Sequence, residues 1–139
     1  MKEGNRTMEL LLDGYCGETE LLRDEEKLRE WLLETAKVGE MHYFGEPIVV
    51  DFPFPGQVGT ALSAVLWLGE SSILVHTYPE HSFVFMNVFH CQEFNVKKVL
   101  DWIKESFGIT QPRTFLFERG IDKSGKPITT RPYTWSGIV

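Results

Sequence analysis

A chain of 139 residues with 42% hydrophobic side chains fits one domain, long enough to bury a core without metal or disulfide staples. Its 14 Lys and Arg against 20 Asp and Glu give a net charge of −6, which excludes the basic surface that a nucleic-acid partner requires. No apolar run reaches membrane-spanning length and the N-terminal residues do not read as a secretory signal, so Cys16 and Cys91 are expected to be free thiols in a cytoplasmic protein.

Residues 8–16, Met-Glu-Leu-Leu-Leu-Asp-Gly-Tyr-Cys, form a mostly apolar run that predicts a first strand, after a loose lead-in over 1–7. From Asp24 the spacing turns helical: Leu28, Trp31 and Leu32, with Thr35 and Ala36, share one face, Asp24 is placed to cap the start and Gly39 to end it. Residues 41–54 predict a strand interrupted at Gly45-Glu46-Pro47 and stopped by Pro53-Phe54-Pro55-Gly56. Thr60–Leu68, Ile73–Thr77 and Ser82–Cys91 predict three further strands joined by short links. Asn95 then opens a second helix with Val96, Val99, Leu100, Ile103 and Phe107 on its apolar face, and Gly108 ends it. Arg113–Glu118 predicts the last strand, and residues 121–139, rich in Gly, Pro, Ser and Thr, read as an irregular tail. The order β-α-β-β-β-β-α-β predicts an α+β fold, a two-layer α/β sandwich whose antiparallel or mixed sheet carries both helices on one face, over 1–139 as a single domain.

The centre of the chain carries the chemistry. Gly69-Glu70-Ser71-Ser72 is by composition an ordinary hairpin turn. It is followed by His76-Thr77-Tyr78-Pro79-Glu80 and, at the end of the next apolar run, by Cys91. Taken singly, Ser63 reads as a half-buried strand serine, His76 as a structural histidine and Cys91 as a small core hydrophobe. Together, at ungapped spacing from Leu62 to Cys91, they resemble the self-cleaving, pyruvoyl-dependent S-adenosylmethionine decarboxylases of the short prokaryotic class. Glu118-Arg119-Gly120 after the last predicted strand is similar to an ending of that family.

The resemblance implies autocatalytic cleavage at Glu70-Ser71 into chains 1–70 and 71–139. Ser71 becomes the pyruvoyl group that forms a Schiff base with the substrate amine and takes up the electrons released with carbon dioxide. It also implies that His76 removes the α-proton of residue 71 during processing, that Ser63 supports the processing site, and that Cys91 protonates the product carbanion. Phe54, ahead of the strand with Ser63, and Glu80 are the implied substrate-binding candidates, and a homodimer with paired sheets is the implied assembly. No added cofactor is expected. His76, His81, His90 and Cys91 lie on adjacent predicted strands but match no zinc motif, and no metal is expected.

Departures from the family pattern bear on the substrate. Ala61-Leu62-Ser63-Ala64 stands where the family usually has Gly-Val-Ser-Gly, Ser72 where it has histidine, Asn87 where it has aspartate and Gln92 where it has glycine. S-adenosylmethionine decarboxylation for spermidine synthesis is the expected function. A pyruvoyl-dependent ornithine or arginine decarboxylase on the same scaffold is the alternative, and an unprocessed regulatory homologue a second one.

Overall fold

The computed structural model describes residues 5–52, 61–128 and 132–134. Strand β1 (Asn5–Tyr15) lies inside the sheet, with Leu10 and Leu12 in the core and Glu9, Leu11 and Asp13 pointing to the opposite face, as the period of two demands. The other strands are β2 (Ile48–Phe52), β3 (Ala61–Trp67), β4 (Ser72–Tyr78), β5 (Phe83–His90), β6 (Arg113–Ile121) and β7 (Pro132–Thr134). All neighbours run antiparallel in the order β2-β3-β4-β5-β1-β6-β7.

Both helices cover the same face. In α1 (Glu25–Val38) the Asp24 carboxylate accepts from Lys27 N–H at 3.1 Å, and Leu28, Trp31, Leu32, Thr35 and Ala36 are buried. In α2 (Val96–Phe107) Asn95 accepts from Lys98 N–H at 3.1 Å, and Val96, Val99, Leu100, Ile103 and Phe107 are buried. Gly108 ends α2 at φ 65°, where Ile109 N–H returns to the Lys104 carbonyl at 2.9 Å. A Cβ on Gly108 would stand 3.1 Å from the Gly17 backbone, so a side chain there meets both backbone strain and a contact tighter than ordinary packing. These helix faces join Leu10, Leu12, Leu62, Leu66, Ile73, Val75, Val84, Met86, Val88 and Leu116 in one core, giving the expected α+β sandwich with two helices on one face. Buried Thr77 fastens the layers by donating to the Leu22 carbonyl and accepting from Leu62 N–H, both at 2.9 Å.

Two stretches differ from the sequence expectation. Residues 41–47 form no strand: Glu40 (φ 54°) and Gly45 (φ 72°) turn the backbone out of extended geometry, and β2 begins only after Pro47. Part of 121–139 is not an irregular tail. β6 runs on to Ile121, and the Asp122 carboxylate then accepts from Ser124 N–H at 2.8 Å and Lys126 N–H at 3.0 Å, closing a turn that returns the chain along β6. Residues 132–134 pair there with 115–117 as β7, so the sheet has seven strands among the described residues rather than six.

Candidate active site

The β3–β4 hairpin places the Glu70-Ser71 peptide at one end of the sheet. Leu68 N–H donates to the Ser71 carbonyl at 2.7 Å, Gly69 takes φ 78°, and Glu70 is left exposed. Ser71 is 2% exposed, and its Oγ accepts from the Cys91 N–H at 2.7 Å. The register explains this pairing. Ser72 stands opposite Phe89, so the residue before Ser72 meets the chain just beyond β5, where Cys91 sits half-buried. A hydroxyl held under a tight turn, next to the carbonyl carbon of the preceding residue, has its nucleophile and electrophile joined by covalent geometry.

Ser63 and His76 form a second pair. They oppose each other across β3 and β4, and Ser63 Oγ and His76 Nδ1 share a hydrogen bond of 2.8 Å. The two pairs are not together in one chain. Four residue steps of extended strand separate Ser72 from His76, ~13 Å. His76 also faces the side of the sheet without helices, whereas Ile73 and Val75, which share the parity of Ser71, face the core. Glu80 lies farther still from Ser71, in the 3-10 turn Pro79–His81 beyond β4. Phe54 lies outside the described residues.

The helix-free face also holds an aromatic pocket that the sequence reading did not single out. Tyr15, Tyr78, His81, Phe83 and Phe85 line a pocket of about 290 Å³. Its rings meet edge to face, Tyr15 with Phe83 at 4.8 Å and Tyr78 with Phe85 at 5.3 Å between centroids. The signal was present as parity, since Tyr15 pairs with Phe83 and Phe83 with Tyr78 on three adjacent strands. On the same face Glu9 accepts from Asn87 at 2.6 Å and from Arg119 at 2.9 Å, so the asparagine that departs from the family pattern is tied to a carboxylate. Cys16 takes no part in the site: burial pushes its thiol up to about 11, which leaves it protonated at neutral pH. Among the described residues no three His, Cys, Asp or Glu side chains converge as a metal-ligand set, and His90 bonds instead to the Gln92 carbonyl at 2.9 Å.

A family model described as S-adenosylmethionine decarboxylase matches residues 8–120. Among curated relatives, the S-adenosylmethionine decarboxylase proenzyme of Pyrococcus furiosus is 32% identical over 117 residues, covering 84% of this chain and 80% of that protein. The proenzyme of the same name from a Hydrogenobaculum species is 30% identical over 124 residues, 87% of this chain and 88% of that one. Among solved structures, the adenosylmethionine decarboxylase of Aquifex aeolicus superposes with a TM-score of 0.68 at 20% identity, covering 86% of this chain and 95% of that chain, which is a likeness of fold.

Proposed function

The chain belongs to the S-adenosylmethionine decarboxylase family, and from that premise we propose that it cleaves itself at Glu70-Ser71, carries the resulting pyruvoyl group on residue 71, and decarboxylates S-adenosylmethionine. The observation that carries this reading is the buried Ser71 hydroxyl, fixed by the Cys91 N–H beside the Glu70 carbonyl. Its Oγ attacks that carbonyl: the C–O bond forms, the C–N bond breaks, and the hydroxyl proton passes to the nitrogen of residue 71, leaving an ester. Removal of the α-proton of residue 71 expels the Glu70 carboxylate, and water then displaces ammonia from the dehydroalanine.

When formed, the pyruvoyl carbonyl supplies the electron sink for the pair released as carbon dioxide departs. The chain's own residues fit that group, because position 71 is enclosed and Cys91 adjoins it as the donor that protonates the product carbon. Cys91→Ala retains the backbone N–H that holds Ser71, so it is expected to cleave normally while turnover falls about a hundredfold, with misdirected protonation read as progressive inactivation. Normal turnover by this variant would show that the proton comes from elsewhere.

The base for α-proton removal is His76, oriented by Ser63, and it serves residue 71 of a second copy. Three features support this arrangement. His76 lies five residues along the chain from its own Ser71, the aromatic pocket adjoins His76 through the His76–Phe85 pair, and the helix-free face exposes Trp67 (52%) and Phe85 (41%) among the described residues. A cytoplasmic homodimer that sets the helix-free face of one copy against the end of the other copy's sheet, where its β3–β4 turn lies, joins the base and pocket of one copy to residue 71 and Cys91 of the other. The adenine ring of the substrate stacks in the pocket, which suits an aromatic substrate better than ornithine or arginine. Base stacking is worth about 1–3 kcal/mol, so Tyr15→Ala is expected to raise KM for S-adenosylmethionine by up to about a hundredfold with less change in kcat. An unchanged KM would place the adenine elsewhere.

The deciding experiment is intact-mass analysis under denaturing conditions, followed by carbon dioxide release from carboxyl-labelled S-adenosylmethionine, ornithine and arginine. Two chains, 1–70 and 71–139, and release from S-adenosylmethionine alone are expected. A single uncleaved chain would remove the pyruvoyl reading.

A further inference from the structure

The segment between α1 and β2 straps down the scissile turn. At one end Met41 is buried, and its N–H bonds the Ala36 carbonyl at 2.8 Å. At the other end the Pro47 carbonyl accepts from the Arg29 guanidinium. Between these anchors residues 42–46 are exposed, and Phe44 is tied to the hairpin: its N–H donates to the carbonyl of Trp67, the last residue of β3, at 3.0 Å. Its ring lies on Gly69, so close that a Cβ at Gly69 would sit 3.2 Å from the ring edge. Phe44 is nevertheless 63% exposed, so core burial does not account for a bulky apolar side chain here.

Gly69 directly precedes Glu70, whose carbonyl is attacked, and as a glycine at φ 78° it is the softest hinge in the turn. The bond from Leu68 N–H to the Ser71 carbonyl closes the turn on its other side. A ring beside Gly69, filling the space a Cβ would take, narrows the rotations open to the Glu70 carbonyl. We propose that Phe44 is a positioning residue for self-cleavage: its N–H on Trp67 and its ring on Gly69 hold the turn where Ser71 Oγ reaches the Glu70 carbonyl carbon. The step it favours is the first one, in which the C–O bond forms, the C–N bond breaks and the hydroxyl proton moves to nitrogen. This inference rests on the self-cleavage reading above.

The test follows cleavage of freshly made full-length chain by intact mass, with and without hydroxylamine, which splits the ester but not the amide. Misplacement by about 1 Å can cost a hundredfold in rate, so Phe44→Ala is expected to cleave about tenfold or more slowly, Phe44→Leu about threefold more slowly, and Phe44→Tyr at the wild-type rate. Hydroxylamine is expected to accelerate His76→Ala, where ester accumulates, and to leave Phe44→Ala slow, because less ester forms. Melting temperatures separate a slow folded chain from an unfolded one, and Phe44→Leu decides the matter if Phe44→Ala does not fold. Wild-type rates for Phe44→Ala and Phe44→Leu, or rescue of Phe44→Ala by hydroxylamine, would overturn the role of Phe44. A wild-type chain that never cleaves would instead remove the reading on which it rests.

Discussion

Ser71→Ala is expected to yield a single uncleaved chain with no detectable decarboxylation, whereas Ser72→Ala still cleaves at the same bond. The contrast follows from where the two hydroxyls lie. Ser71 is buried with its Oγ on the Cys91 N–H, next to the exposed Glu70. Ser72 is already the first residue of β4, paired with Trp67 and Phe89, so its backbone is committed to the ladder and to the opposite face. Removing the Ser71 Oγ removes the atom that attacks and with it the ester whose β-elimination leads to the pyruvoyl group, so processing and turnover vanish together rather than by degrees. Mass spectrometry of the two variants reads the outcome directly. Cleavage of Ser71→Ala at residue 70 would show that another nucleophile acts, and a fragment beginning at residue 72 in the wild type would move the reaction by one position.

The fold was legible wherever short-range chemistry decides it. Asp24, Asn95 and Gly108 announce helix ends by capping, and Leu28, Trp31 and Leu32, like Val99, Leu100 and Ile103, reveal the buried faces by their spacing. It was not legible where partners are distant in sequence. The aromatic run ahead of Pro47 has strand propensity, but positive φ at Glu40 and Gly45 and the docking of Phe44 on Trp67 make it a strap. Residues 132–134 carry too few side chains to signal a strand, and they become one because the Asp122 turn brings them against Phe115–Phe117.

The site was legible as residue types and spacing, not as geometry. A spacing of five between Ser71 and His76 suggests neighbours, yet along an extended strand it carries them ~16 Å apart. Conversely, Ser71 and Cys91, twenty positions apart, come together because β4 and β5 pair antiparallel. The pocket of Tyr15, Tyr78, Phe83 and Phe85 needed the register of three strands before it could be seen.

Mixing two inactive variants is expected to restore cleavage, and the chain that is cut identifies which copy supplies the base. Ser71→Ala and His76→Ala chains, given distinguishable tags and made separately, should each remain uncleaved or nearly so. Made together, they form mixed dimers in which the His76→Ala chain keeps its Ser71 and Cys91, while the Ser71→Ala chain lends its Ser63–His76 pair. In a two-fold assembly with random pairing, about half of the His76→Ala chains meet such a partner, so about half are expected to split at residue 70. No Ser71→Ala chain is cut, since it has no hydroxyl at 71. Each mixed dimer thereby holds one complete site and one doubly defective site, and decarboxylation should return in proportion to the cleaved fraction. If His76 acted on the Ser71 of its own chain, the strand would have to fold back over four rungs of paired backbone, and mixing would restore nothing. Uncut His76→Ala chains in a verified mixed dimer would therefore refute the shared site, while leaving cleavage at Glu70-Ser71 to stand on the Ser71→Ala result.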